Sequence, residues 1–481
     1  MQLYLLLLCG AIVFILITIL FRAARIADRS VPKEGPEIDS RISRRAAESL
    51  SAMIKYPTVS SAEARSQTGY RGDAFARLVS YIRARYPNIF RTMMAEDLNG
   101  NLLLYWAGED EDADPMLFCA NMDVISAEGE WEYHPFSGEI AENKVWGRGA
   151  IDSKGVLCSL LEAVESLISE GFRPIRDVYI AIVRDAESTN DGARLIADIL
   201  RKRVFKFAAV FAKGRCISRD LLPVGRNQAI IGVAEKGTMK IKLTSREKGG
   251  SISEPSRYSA IGRLSEAICR IEYRPQPIRR SELLRDMISA FAPYMPYSMR
   301  VYASNMWLLE GRLLKHLQKY REFSSMLRTT FAVTRSSAGT GEKVLPSSAE
   351  ATVYARVIHG DSSSDIYRFL TDLVESVGVE VEVEDANEAS AISPYRGKDY
   401  LKLRNALKES FGDLIVAPGV ISEDTSVSPF THNAEAVYRI TPFVLTEAEK
   451  STIQCNNERI DIESLGRAVF FYKRLISLTA G

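Results

Sequence analysis

From Met116 to Gly155 the chain reads MLFCANMDVISAEGEWEYHPFSGEIAENKVWGRGAIDSKG, and at 183–188 it reads VRDAES. Three carboxylates stand out, Asp123, Asp152 and Glu187, each at or beside the end of an apolar segment. Carboxylates gathered in this way can hold a cation or activate a water, the layout of a hydrolase active site. A catalytic zinc normally takes three protein ligands, most readily imidazole, thiolate or carboxylate. Histidine is scarce here, with only His134, His316, His359 and His432. His134 in WEYHPF, His316 in a Leu/Lys-rich helix and His432 in a polar loop read as ordinary side chains; His359, just after Arg356, is the one to watch.

The elements that must position these groups alternate in type. Residues 40–56 and 73–86 read as helices, and Asn101 to Trp106 and Pro115 to Ala120 as strands. Gly155 to Glu170 carries Val156, Leu160, Leu161, Val164, Leu167 and Ile168 at helical spacing, and Val178 to Val183 is a continuous apolar strand. Strands alternating with helices predict an α/β sheet covered on both faces, with sites at the carboxyl ends of the strands. Asn121–Asp123 and Asp185–Glu187 fall at such ends, and Asp152 lies in the loop entering the Gly155 helix.

Composition narrows the function classes. A chain of 481 residues, 46% hydrophobic and 26% charged, can bury a large core over two to three domains. Its 62 basic and 61 acidic side chains nearly cancel, which gives no broad attraction for polyanions, so nucleic acid is not an expected partner. Tyr4 to Phe21 is uncharged and ends at Arg22, with Arg25 and Arg29 beyond. At about 1.5 Å per residue it covers roughly 27 Å, close to a hydrocarbon core. The run is longer than a signal-peptide core and has no charged side chain before it, which favours an uncleaved single-pass anchor over a cleaved leader. The arginines after it would keep the large domain in the cytoplasm, although the side is left open. Cys9 lies in the anchor; Cys119, Cys158, Cys216, Cys269 and Cys455 are widely spaced and read as buried free thiols, with a repurposed thiolate metal site as the minor alternative.

The order of "xMD", GRGAIDSKG, DAES and then AEKG at 234–237 resembles the zinc aminoacylase, carboxypeptidase S and succinyl-diaminopimelate desuccinylase peptidase family. It is most similar to the carboxypeptidase S and N-fatty-acyl amino acid hydrolase branch, from about residue 45 to the C-terminus. The resemblance implies an α/β, phosphorylase/hydrolase-like zinc-peptidase catalytic domain with an inserted α+β lid/dimerisation domain, preceded by one N-terminal transmembrane helix. The expected boundaries are an anchor at 1–21, a linker at 22–40, a catalytic domain from 41–234 and 391–481, and a lid at 235–390.

Carried over position by position, the family's bridging zinc ligand is Asp152 and a further carboxylate ligand is Glu187, both retained. The aspartate that orients a ligand histidine is retained as Asp123, but the histidine itself is Asn121. The general base is Ala186, a later acidic ligand is Ala212 and the last histidine is Gln454. Amide oxygens bind zinc poorly and alanine not at all. In the lid, Gly250 and Lys343 stand where a histidine and an asparagine are expected, while Arg356 matches the arginine that grips a substrate carboxylate; a solvated strand charge is its other reading. Gly147, Arg148, Gly149, Lys154, Glu235 and Gly237 keep the frame.

Three functions remain in play. One is a membrane-anchored pseudo-hydrolase binding an amino-acid or peptide-like ligand or a protein partner, without cofactor. Another is an amidohydrolase or carboxypeptidase on N-acyl amino acids or small peptides, with zinc in an altered site. The third is a structural role through a lid-mediated homodimer.

Overall fold

A computed structural model describes residues 1–28, 33–60, 73–204, 206–339, 341–423 and 425–481. Residues 29–32 of the expected linker, Arg29 and Pro32 among them, lie outside the described residues.

Apolar runs build the principal layer. Eight strands lie in the order Met94–Leu98, Asn101–Trp106, Val178–Val183, Met116–Asn121, Ala209–Ser218, Val437–Leu445, Asn227–Glu235 and Leu414–Ile421. Met116–Asn121 runs parallel to both Val178–Val183 and Ala209–Ser218, and Asn101–Trp106 joins antiparallel at one side. The central strands are buried on both faces, as a sheet covered by helices requires. One cover includes the Ser40–Ile54, Lys154–Ser169, Lys398–Phe411 and Ile462–Ala480 helices, and the other the Asp191–Arg203 helix, whose Ala193, Ile196, Ala197 and Leu200 pack on Leu117, Val183 and Val210.

The chain leaves this layer at Glu235 and returns before Lys398. In between, Thr330–Ala338, Ser348–Val357, Gly237–Arg246 and Val379–Asn387 form a second, antiparallel sheet in that order. The Ala260–Tyr273 and Ser363–Val374 helices bury Leu264, Ile271, Ile366 and Leu370 against it. The helices between Glu282 and Ser325 do not join that sheet. Leu284, Met287, Ile288 and Phe291 pack instead on Ile230, Ile415 and Ala417 at the edge of the eight-stranded sheet. The inserted segment therefore has two packing units, a division that periodicity cannot show because each helix is amphipathic whichever sheet it covers.

At the N-terminus Gln2–Arg25 is one helix, with a mean hydropathy of 3.0 over its most apolar stretch and only Ile19 and Ala23 buried. It is long and apolar enough to cross a bilayer, and a signal sequence has the same character.

One glycine in the Asp152 loop region is fixed by close approach. A Cβ on Gly155 would stand 2.2 Å from the Ala150 carbonyl oxygen and 3.3 Å from the Phe443 ring. In an ordinary helix Gly→Ala gains about 0.5–1 kcal/mol. Here the backbone oxygen cannot yield, so Gly155→Ala is expected to destabilise by about 1–3 kcal/mol, read as a lower urea midpoint with unchanged slope; a raised midpoint would show that the loop can move.

Candidate active site

The GRGAIDSKG loop is wrapped around a single buried carboxylate. Glu458 accepts from Arg148 Nη1 at 2.9 Å and from the backbone N–H groups of Gly149, Ile151 and Asp152 at 3.1, 2.8 and 3.0 Å. Arg148 also donates to the Cys455 carbonyl at 3.0 Å, so the 454–458 segment and the Asp152 loop are held as one piece. Lys154, fully buried, donates to the Met53 and Tyr56 carbonyls at 3.1 and 2.5 Å. Burial depresses its pKa to about 7, and the carboxylates of Asp123 and Glu458 oppose that shift.

Beneath the cleft floor, Asp123 takes the Glu187 N–H on Oδ2 at 2.8 Å and so fixes the turn that presents the Glu187 side chain. Burial pushes the Asp123 carboxyl up to about 6, only partly offset by that N–H. Asp185 accepts from the Gly192 N–H at 3.1 and 3.0 Å and from Thr189 Oγ1 at 3.2 Å. Its carboxylate is thus spent on the start of the Asp191–Arg203 helix, next to Ala186, where the resemblance expects a general base.

The structure brings together Asp152, Glu187 and Gln454, and adds a residue that the sequence pattern did not single out. Lys213 Nζ lies 2.5 Å from Asp152 Oδ1 and 2.9 Å from Glu187 Oε1, with its side chain 16% exposed. Gln454, at a left-handed φ of 58°, donates Nε2 to Asp152 Oδ2 at 3.1 Å and to Glu187 Oε2 at 3.4 Å. Burial by itself lowers the Lys213 pKa, but the two carboxylates outweigh it and hold the pKa well above the ordinary lysine range.

Lys213 reaches this position through a break in the sheet ladder. Arg439 pairs with Ala212, but Thr441 pairs with Cys216, so residues 213–215 bulge between them. Thr441 Oγ1 secures the bulge by accepting the Gly214 N–H at 3.2 Å and donating to the Gly214 carbonyl at 2.8 Å. A Cβ on Gly214 would meet the Arg439 backbone at 2.6 Å. Bulges commonly re-aim a side chain beside a site. Ala212, the position read as a lost acidic ligand, packs with Leu117, Cys119 and Val183 and stays clear of the carboxylates, while its neighbour enters the cleft.

The other expected positions distribute as follows. Asn121 Oδ1 accepts from Ser426 Oγ at 2.8 Å. Cys119 is buried in the same apolar cluster as Ala212, and burial raises its pKa, so it is not an available thiolate. Arg356 donates to Thr238 Oγ1 at 2.5 Å, and it is Thr238 that lines the cleft. His359 is exposed beyond its strand, whereas His432, read as an ordinary loop side chain, lines the cleft. The cleft, about 1450 Å³, extends from the carboxylates to the second sheet through Glu235, Lys236 and Asn387. Glu235 is itself fixed by the Thr425 N–H at 2.8 Å, Thr425 Oγ1 at 2.6 Å and Arg439 Nε at 3.0 Å.

The zinc implied by the resemblance does not fit this donor set. An ammonium occupies the gap between the two carboxylates, Asn121 spends its oxygen on Ser426, and Gln454 presents donors. Among the described residues no group of three or more His, Cys, Asp or Glu could hold a metal ion.

Comparisons with known proteins agree with the layout. The model of peptidase family M20/M25/M40 matches residues 117–478. A probable carboxypeptidase S-like protein 2 of Dictyostelium discoideum is 30% identical, covering 90% of this chain and 85% of that protein. The human N-fatty-acyl-amino acid synthase/hydrolase PM20D1 is 29% identical, covering 89% and 86%. In fold, the chain is similar to an M20 family metallo-carboxypeptidase of Sulfolobus solfataricus (TM-score 0.64, 16% identity, 90% of this chain and 98% of that one) and to human carnosine dipeptidase 1 (0.63, 12%, 93% and 99%).

The buried Asp123 gives a signed pH test. The unfolded carboxyl ionises near 3.8 and the native one near about 6, so the wild type loses stability relative to Asp123→Asn as pH rises between those values. The difference should amount to on the order of 3 kcal/mol across denaturation curves from pH 4 to pH 7. A pH-independent difference would mean that the native carboxyl is not shifted.

Proposed function

The chain belongs to peptidase family M20/M25/M40, and from that premise we propose that it is a membrane-anchored binding protein derived from a hydrolase. Its ligand is an amino-acid or peptide-like molecule bearing a carboxylate, held in the cleft without amide hydrolysis. The observation that carries this reading is the Lys213 ammonium seated between Asp152 and Glu187. This internal cation offsets one of the two carboxylate charges and occupies the space between them that an external cation would need. Ala186 supports the reading, since it cannot take the proton of an attacking water. The Arg356–Thr238 pair supports a ligand carboxylate at the second sheet, with Thr238 as the contacting group. The Gln2–Arg25 helix is retained in this reading as a single-pass anchor, and the second sheet acts as a lid and homodimer surface.

A second reading is amide hydrolysis of N-acyl amino acids or small peptides with an altered metal site. Kinship over most of the chain with a carboxypeptidase S-like protein and an N-fatty-acyl-amino acid synthase/hydrolase favours it.

Plasma mass spectrometry of full-length protein, loaded with zinc and then dialysed, separates the two. The binding reading expects less than about a tenth of an equivalent of zinc, and N-acyl amino acid turnover no higher than that of Asp152→Ala. Calorimetry should nonetheless detect binding of the same compounds, weakened about tenfold or more in Thr238→Val. One or two equivalents of zinc, lost together with turnover in Asp152→Ala, would establish the hydrolase instead.

A further inference from the structure

The lower end of the N-terminal helix is not a free tether. Asn305, fully buried, donates Nδ2 to the Ile19 carbonyl at 3.1 Å. Ala23 is fully buried, and Ile26 packs against the helical cluster of Phe291 and Leu313. Just beyond, the Asp28 N–H donates to the Pro293 carbonyl at 3.1 Å, and the Asp28 carboxylate pairs with Arg226 at 3.2 Å. These contacts fix the height at which the apolar helix meets the folded body.

At that height the body exposes side chains that a wholly aqueous surface does not need. Trp307 is 64% exposed, Leu308 53% and Tyr297 48%, all on the Tyr297–Ala303 and Met306–Leu317 helices that flank Asn305. The outer face of Met306–Leu317 is Trp307, Leu308, Gly311, Arg312 and Lys315, while Leu313, Leu314 and Leu317 are buried beneath it. The face is therefore apolar beside Asn305 and cationic about one to two turns further on, roughly 6–12 Å at 1.5 Å per residue. Arg300 lies over the Tyr297 ring at 5.5 Å, and Arg22 and Arg25 occupy the last turn of the N-terminal helix. Tryptophan and tyrosine rings flanked by cations are the side-chain chemistry of the membrane–water boundary.

We propose that the Tyr297–Leu317 helix pair is a second membrane contact. It rests in the headgroup zone of the leaflet from which the N-terminal helix emerges, with Trp307 and Leu308 inserted and Arg312 and Lys315 against anionic lipid. The proposal rests on the anchored reading of Gln2–Arg25. Two contacts, one spanning and one lying flat, hold the folded body at a fixed tilt, so the cleft keeps one orientation to the bilayer.

The test uses full-length protein in vesicles of phosphatidylcholine and phosphatidylglycerol, with bromine on the upper acyl chain as a contact quencher of tryptophan. Of the other three tryptophans, Trp106 and Trp146 are buried and Trp131 is half-buried under Arg148 beside the Asp152 loop, so most of the quenching is expected to disappear in Trp307→Phe, and Leu308→Glu should make Trp307 accessible to aqueous iodide while the protein stays membrane-integral. Equal quenching of wild type and Trp307→Phe, in a protein whose intact mass retains the N-terminal helix, would overturn the second contact and leave the anchor standing. A mass showing that the helix has been removed would overturn both.

Discussion

The buried Glu458 carboxylate is the point on which the candidate site depends. A carboxylate at 0% exposure is tolerable only when its lone pairs are satisfied, and Glu458 has one guanidinium and three backbone N–H groups to do so. The same contacts give the GRGAIDS loop its shape, since three of the donors are its own backbone. Asp152, Gln454 and the start of the Lys154–Ser169 helix are all placed through this one group. A buried pair of this kind is costly to break from one side, about 3–5 kcal/mol, because the remaining charge keeps its desolvation penalty without its partner.

The second constraint lies in the sheet register. Strand residues alternate faces, so a regular Ala209–Ser218 strand would repeat its pairing with Val437–Leu445 without interruption. The irregularity at 213–215 inserts extra residues on one side, and Thr441 clasps Gly214 to hold it. Lys213 and Arg215 both benefit, the first meeting Asp152 and Glu187, the second Glu322 and Glu423. The bulge thus joins the acidic centre of the cleft to the helical unit that carries Glu322, through side chains only two residues apart.

Much of this was legible in the sequence. Apolar runs located the Asn101–Trp106, Met116–Asn121 and Val178–Val183 strands to within a residue, the Gly155 helix followed from its spacing, and the motif order pointed to the family, whereas the central Ala209–Ser218 and Val437–Leu445 strands were not placed. Asp152 and Glu187 were read as retained metal-ligand positions, and the structure places both on one ammonium. Lys213 is not marked out by the sequence, because nothing local to Val210–Gly214 announces a bulge whose clasp, Thr441, is more than two hundred residues away. Glu458 was not singled out, because its burial depends on a loop from the other half of the chain. Arg356 was read either as a grip on a ligand carboxylate or as a solvated strand charge, and its bond to Thr238, a cleft-lining threonine on the neighbouring strand, was not foreseen. Each miss is a long-range pairing, which spacing along a chain does not encode.

The Lys213 ammonium differs from a bound ion in being tethered. A metal fills its site according to its free concentration and its affinity, so occupancy rises and falls with supply. A side chain fixed on a central strand has an effective concentration set by covalent geometry alone, and no dilution or chelator alters it. The negative charge of this acidic centre is therefore halved from the moment the strand is formed. The fold thus carries a counter-ion of its own, built into the chain between Asp152 and Glu187.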